Sequence, residues 1–192
     1  MNDTCLERVF GRNYKVMKLF LEEPEREFYV TEAAQKLEMD KMSVIRALNS
    51  IVEAGLMECR SGHYRKFYKL KVSHITKVLK IMVNLDSPLI AEFLKRFASK
   101  SELVLLYGSR AEGTEGVDSD WDFLVVSNKT DVVAMNRTIS EMEARFGVQI
   151  NVKLYTSREY REFVEKKTPF YQEVMAKKIV LGGQLIESQG VL

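Results

Sequence analysis

The sequence predicts a mixed α/β protein in two parts, and three observations predict it. Apolar residues recur at helical spacing between short extended pieces over residues 1–72. Residues 73–100 read as helical throughout, with a Ser87-Pro88 helix start inside them. From about Ser101 onward, short apolar runs rich in Val, Leu and Ile alternate with longer amphipathic stretches, the pattern of strands and helices sharing one sheet. The expected organisation is a first domain at 1–72, a helical linker at 73–100 and a second domain at 101–192.

In the first part, Leu6, Val9, Phe10, Val16, Met17, Leu19 and Phe20 give a helix an apolar stripe, and Pro24 ends it. Phe28-Tyr29-Val30 is a short extended piece, and Thr31 is a good N-cap for the helix TEAAQKL. Asp40 caps KMSVIRALNSIVEAG, which places Val44, Ile45, Leu48, Ile51 and Val52 on one face and Ser43, Arg46 and Ser50 roughly opposite. Gly55 is a natural stop. Leu56 to Cys59 is extended, Arg60 to His63 turns, and Tyr64 to Leu70 returns as a second strand. In the middle, Ile75, Val78, Leu79 and Met82 form one apolar stripe, and Leu89, Phe93, Leu94 and Phe97 form the next.

In the second part, residues 102–107 form a strand that stops at Gly108-Ser109. Trp121 to Val126 is a strand, Thr130 caps a helix running to about Phe146, and Val148 to Tyr155 is the next strand. Ser157 caps a further helix, and Thr168-Pro169 opens another that ends near Lys178.

Bulk composition leaves function open. The net charge of +2 over 192 residues predicts neither nucleic-acid nor membrane binding, so local clusters have to make any such case. Cys5 and Cys59 are too few and too far apart for a disulfide framework or a zinc site. The start MNDTCLERVF has no apolar signal core, and no stretch has the length of a membrane span, so a soluble cytoplasmic protein with no membrane partner is expected.

The chemistry concentrates in LVLLYGSRAEGTEGVDSDWDFLVV, residues 103–126. Residues two apart on a strand share a side, roughly 6–7 Å apart, so Asp120 and Asp122 project together while Trp121 and Phe123 face a core. Side-by-side carboxylates repel unless a cation, a basic partner or solvent compensates them. Mg²⁺ prefers carboxylate oxygens and keeps positions open for phosphate. Gly108-Ser109 follows a strand, where glycine permits close backbone approach and free N–H groups attract anions. A phosphate cradle facing an acid pair suggests nucleoside triphosphate chemistry.

Gly108-Ser109, the ten residues Arg110 to Ser119, and then Asp120-Trp121-Asp122 resemble the motif of the nucleotidyltransferase superfamily that includes DNA polymerase beta, in its minimal form. The closing stretch TPFYQEVMAKKIVLGG is similar to the tail of such minimal enzymes. The resemblance covers roughly residues 101–182 and implies a small mixed β-sheet flanked by helices. It implies that Gly108, Ser109 and Arg110 hold the triphosphate, that Asp120 and Asp122 bind two Mg²⁺ (or Mn²⁺) ions and are catalytic, and that the nucleotide is a nucleoside triphosphate, ATP first. The family's acceptors include partner proteins, among them toxins neutralised by adenylylation, and small molecules such as antibiotics.

The family's third carboxylate lies on a following strand, and there the sequence departs from it. In VQINVKLY, Ile150, Val152 and Leu154 share one face and Gln149, Asn151 and Lys153 the other, so Asn151 stands at the third metal-ligand position. Its amide oxygen can ligate a metal but is neutral and cannot act as a base. Three readings follow: a transferase, a transcriptional regulator whose degenerate domain senses nucleotide, and an antitoxin-like partner that acts by binding. Asp118, in the loop, is a second candidate for the missing charge.

The first part, with its order of helix, helix, turn, helix and hairpin, resembles a winged helix-turn-helix DNA-binding domain over about the first 70 residues. That resemblance implies double-stranded DNA as a partner, with Ser43, Arg46, Asn49 and Ser50 facing base edges and Arg65 and Lys66 on the backbone, and it implies a homodimer. Between Arg60 and Lys80 there are seven basic residues and no Asp or Glu, as phosphate contact requires, although Glu25, Glu27, Glu32 and Glu38 precede them. His63 and His74 are assigned no role.

Overall fold

The computed structural model describes residues 4–185. The chain divides into two compact units, Met1–Ser87 and Pro88–Leu192. Among the described residues no helix is long and apolar enough to cross a membrane.

The first unit runs α1 (Cys5–Glu22), β1 (Phe28–Tyr29), α2 (Val30–Lys36), α3 (Lys41–Glu53), β2 (Met57–Ser61), β3 (Lys66–Leu70) and α4 (His74–Leu85). Its three strands pair antiparallel in the order β1-β3-β2. Val16, Phe20, Phe28, Ala33, Val44 and Leu48 are fully buried and form the core.

Several local expectations hold and several shift. The Asp40 carboxylate accepts a hydrogen bond from the Ser43 N–H at 2.8 Å and so caps α3. Helix α2 begins at Val30 with Tyr29 at the N-cap, so Thr31 lies inside the helix rather than capping it; β1 hands directly into the helix once Phe28 and Tyr29 have paired with β3. The hairpin turn is Gly62–Arg65, closed by the Gly62 N–H on the Arg65 carbonyl at 2.7 Å, because pairing extends through Ser61↔Lys66.

Gly11 interrupts α1 with φ 62° and ψ −141°, which turns the first segment out of phase with the second. Val9 and Phe10 are therefore exposed instead of continuing the buried stripe. In α4 the expected stripe splits, with Leu79 packed against the core. Ile75 and Val78 are exposed, and Thr76, Lys80, Val83 and Asn84 are buried. The Thr76 hydroxyl donates to the Lys71 carbonyl and the Thr76 N–H to Ser73 Oγ, and these bonds fix which side turns inward.

The second unit runs α5 (Pro88–Phe97), a short 3₁₀ turn (Ala98–Lys100), β4 (Leu103–Tyr107), α6 (Ser109–Glu112), β5 (Trp121–Val126), α7 (Val132–Phe146), β6 (Ile150–Tyr155), α8 (Ser157–Lys166), α9 (Pro169–Ala176) and β7 (Ile179–Gly183). The sheet order is β6-β5-β4-β7, with β5 and β6 parallel and the other pairs antiparallel. This is a mixed α/β unit with a small four-stranded sheet flanked by helices.

Strand alternation splits its core into two layers. Val104, Leu106, Trp121, Phe123 and Val125 pack with residues of α5 and α7. Leu103, Leu105, Tyr107, Leu124 and Val126 pack with Tyr160, Phe163, Val164 and Val174 of α8 and α9. Phe93 stacks on Phe123 with ring centroids 3.8 Å apart. The caps move by one residue from those expected. Asp131 rather than Thr130 caps α7, accepting from the Val133 and Ala134 N–H groups, and Thr156 rather than Ser157 caps α8 in a capping box with Glu159. Thr168 caps α9, with Pro169 at its first position.

Candidate functional site

Strand register brings the chemistry together. Tyr107 pairs with Asp122, and Asp122 with Asn151, so these three residues form one row across β4, β5 and β6. The Glu143 carboxylate accepts the Ile150 N–H at 2.9 Å, and the Gly147 N–H returns to the Glu143 carbonyl at 2.8 Å. These two bonds set where β6 starts, and so which residue of VQINVKLY meets Asp122.

At the mouth of that row, Asn151 Nδ2 donates to Asp120 Oδ2 at 3.2 Å and to Asp122 Oδ1 at 3.1 Å. The two acids therefore do project together, and the third position of the constellation is filled by a neutral donor. Gly108 closes the site from β4, with φ +74°. A Cβ there would sit 2.6 Å from Asp122 Oδ2, so only glycine leaves the carboxylate its place. Ser109 begins α6 directly after it.

Arg110, expected at the triphosphate, bonds the end of the loop that leads to the acids. Its Nε donates to the carbonyls of Ser119 and Asp120 at 3.2 Å each, and Nη2 donates to Ser119 O at 2.6 Å. Its guanidinium also lies 4.3 Å over the Trp121 ring. It thus pins the end of the loop just before the acid pair. Glu112 of the same short helix pairs with Lys177 at 2.6 Å. Asp118 is exposed and borders a separate cleft with Glu143, Gly147 and Gln149. Among the described residues no group of three His, Cys, Asp or Glu comes together, so Asp118 does not complete the pair.

Sequence reasoning missed Tyr107 and Glu143. Together with Asp122, Asn136, Ser140, Asn151 and Lys153 they line an open cleft of about 520 Å³ beside the acids. Burial, and then the negative charge of Asp122, push the Tyr107 hydroxyl up to about 12. The signal for Tyr107 was its place as the last residue before Gly108; nothing local marks Glu143.

In the first unit the residues expected at DNA fall into two sets. Asn49, Arg65 and Lys66 line one cleft of about 640 Å³ with Tyr29, Thr31, Tyr64 and Tyr68. Arg46 and Ser50 are exposed on α3 outside that lining. Ser43 is buried and accepts a hydrogen bond from Arg12 Nη1 at 2.8 Å, so it is a packing residue rather than a base contact. Arg60 pairs with Glu27, and Lys69 with Glu25 at 3.1 Å, which removes two charges from the basic run. Among the described residues Arg65 and Lys66 have no ion-pair partner, and Arg65 lies 4.7 Å over the Tyr29 ring.

A sequence model described as Polymerase beta, Nucleotidyltransferase matches residues 89–186, just over half of the chain. No curated protein matches it. Among solved structures, the toxin–antitoxin pair MntA–HpeT in mutant form aligns with a TM-score of 0.35 at 20% identity, covering 50% of this chain and 71% of that one. A toxin–antitoxin structure with AMP-PNP gives 0.36 at 22% identity, covering 50% and 72%. Sso10a-2, a DNA-binding protein from Sulfolobus solfataricus, gives 0.30 at 20% identity, covering 43% and 92%.

Proposed function

This chain belongs to the polymerase beta nucleotidyltransferase family, and from that premise we propose that it transfers a nucleoside monophosphate, AMP from ATP, to a hydroxyl on a protein or small-molecule acceptor. The observation that carries the proposal is the convergence of Asp120 and Asp122 on one neutral amide beside Gly108. Two like charges with a single neutral donor between them are a ligand set for a hard cation.

The residues present fit one divalent ion, Mg²⁺ or Mn²⁺. The two carboxylates supply oxygen donors, and Gly108 leaves Asp122 room that a side chain would take. Such an ion, when bound, supplies positive charge against the phosphates of the nucleotide. Ser109 and the start of α6 follow directly on Gly108 and are assigned to the phosphates. Arg110 positions the acids by holding the carbonyls of Ser119 and Asp120. In the reaction the acceptor oxygen bonds to the α-phosphorus, the bond from that phosphorus to the bridging oxygen breaks, and pyrophosphate leaves. The acceptor's proton goes to solvent or to a carboxylate of the pair, because Asn151 is neutral and cannot take it.

The test is incubation with labelled ATP, Mg²⁺ and cell extract. Label transferred by the wild type and lost in Asp120→Asn and Asp122→Asn supports the enzyme. No such transfer, with nucleotide still bound, sinks it in favour of the second reading. That reading is a regulator whose nucleotidyltransferase domain only senses nucleotide, and the neutral Asn151 favours it.

For the first unit we propose a winged helix-turn-helix that binds double-stranded DNA through Arg46, Asn49 and Ser50 of α3 and through Arg65 and Lys66 of the hairpin. The shared cleft of Asn49, Arg65 and Lys66 supports it. Binding to random DNA should weaken as salt rises, and Lys66→Ala should lower the salt slope by about one. Affinity indifferent to salt removes this part of the proposal.

A further inference from the structure

Carboxylates only accept hydrogen bonds. The atom of Asn151 that lies 3.2 Å from Asp120 Oδ2 and 3.1 Å from Asp122 Oδ1 is therefore the amide nitrogen, one N–H directed to each acid. That places a neutral donor in the position where a bridging cation relieves like-charge repulsion. A divalent ion needs oxygen there, and the NH₂ end offers it none. Asp122 and Asn151 are register partners on paired strands, and β6 pairs with β5 alone in the sheet order, so the amide is held in line with the acid from the sheet's edge.

We infer that Asn151 is a latch on the acid pair: its NH₂ holds Asp120 and Asp122 together when no ion is present, and it turns over to offer Oδ1 when one divalent ion enters. The latch has two consequences. The empty site keeps its arrangement without a cation, because the repulsion is already relieved. The loaded site takes one ion, because the third position adds no charge and Lys153, on the same face two residues on, adds an opposing one. The inference rests on the acid pair being an ion site, as proposed above.

The experiment uses the full chain and Mn²⁺, followed by the paramagnetic signal of the free ion, with a non-hydrolysable ATP analogue present. Wild type is expected to bind one Mn²⁺ per chain. Asn151→Asp is expected to bind two, the first about tenfold tighter, because a third carboxylate adds charge to the site. In thermal unfolding without metal, Asn151→Asp should melt below wild type, and Mg²⁺ should recover most of the difference by raising Asn151→Asp more than it raises wild type. Asn151→Ala, which removes the donor and adds no charge, should also lower the metal-free midpoint and still bind one ion. Equal stoichiometry and affinity in wild type and Asn151→Asp, or metal-free midpoints unchanged in both variants, overturns the latch and leaves the acid pair as an ion site. No Mn²⁺ bound by either protein, or one ion still bound by Asp122→Asn, overturns both.

Discussion

Asn128 and Asn151 stand just beyond and just inside opposite ends of the paired strands β5 and β6, and each amide meets carboxylate. At the far end, Glu102 accepts from Asn128 Nδ2 at 2.7 Å and from Ser157 Oγ at 2.7 Å, while Asn128 Oδ1 accepts the Ser157 N–H at 3.1 Å. One acid there has two side-chain donors, and the cluster is closed. At the near end two acids share one amide. The residue types are nearly the same, and the ratio of donors to charges differs. A closed cluster fastens α8 to the sheet, whereas a cluster short of positive charge is arranged for something that brings it.

Removing charge at the near end should have the largest effect in the molecule. Asp122→Asn is expected to lower nucleotide transfer about a hundredfold or more, the scale seen when one group that stabilises developing charge is lost, while leaving the metal-free unfolding midpoint unchanged or higher. Transfer assays beside thermal unfolding read both. Gly108→Ala comes next. The positive φ and the clash with Asp122 should cost about 1–3 kcal/mol of stability and weaken Mn²⁺ binding with it, as chemical denaturation and ion titration would show.

Glu102→Gln tests the closed end. It should cost about 0.5 kcal/mol, because these bonds are exposed, and leave ion binding and transfer untouched. A loss of ion binding in this variant would break the contrast between the two ends. The smallest effect is at Tyr107. Its folded-state pKa of about 12 lies above the ordinary 10.0, so its contribution to stability is intact below pH 10 and lost between about 10 and 12. Tyr107→Phe should flatten part of the fall in unfolding midpoint over that window, the remainder tracking Tyr14, Tyr68, Tyr155 and Tyr160, all raised by burial.

Legibility in the sequence follows the distance over which each feature is decided. The acid pair was readable because strand periodicity is local, and Asn151 because alternation in VQINVKLY left one polar face. The role of Arg110 was not, since its partners are the carbonyls of Ser119 and Asp120, on the far side of a loop. Strand β7 was missed because IVLGG has no partner within reach of local pattern; it pairs with β4, some 75 residues earlier. In the first unit element order was legible and facing was not. An apolar spacing at Ile75 and Val78 fits a buried stripe equally well, but the Ser73–Thr76 cap turns the opposite side of α4 inward.

The Arg110 clamp has a consequence for how this protein can be altered. The acids are placed by the pairing of β5 with β4 and β6, and a guanidinium grips the last turn of the loop that leads to them. Val117, at 68% exposure, stands on the free side of that grip. A short flexible tag spliced in beside Val117 should ride on the surface without shifting Asp120, which makes this loop a natural port for a fluorescent reporter of what enters the site.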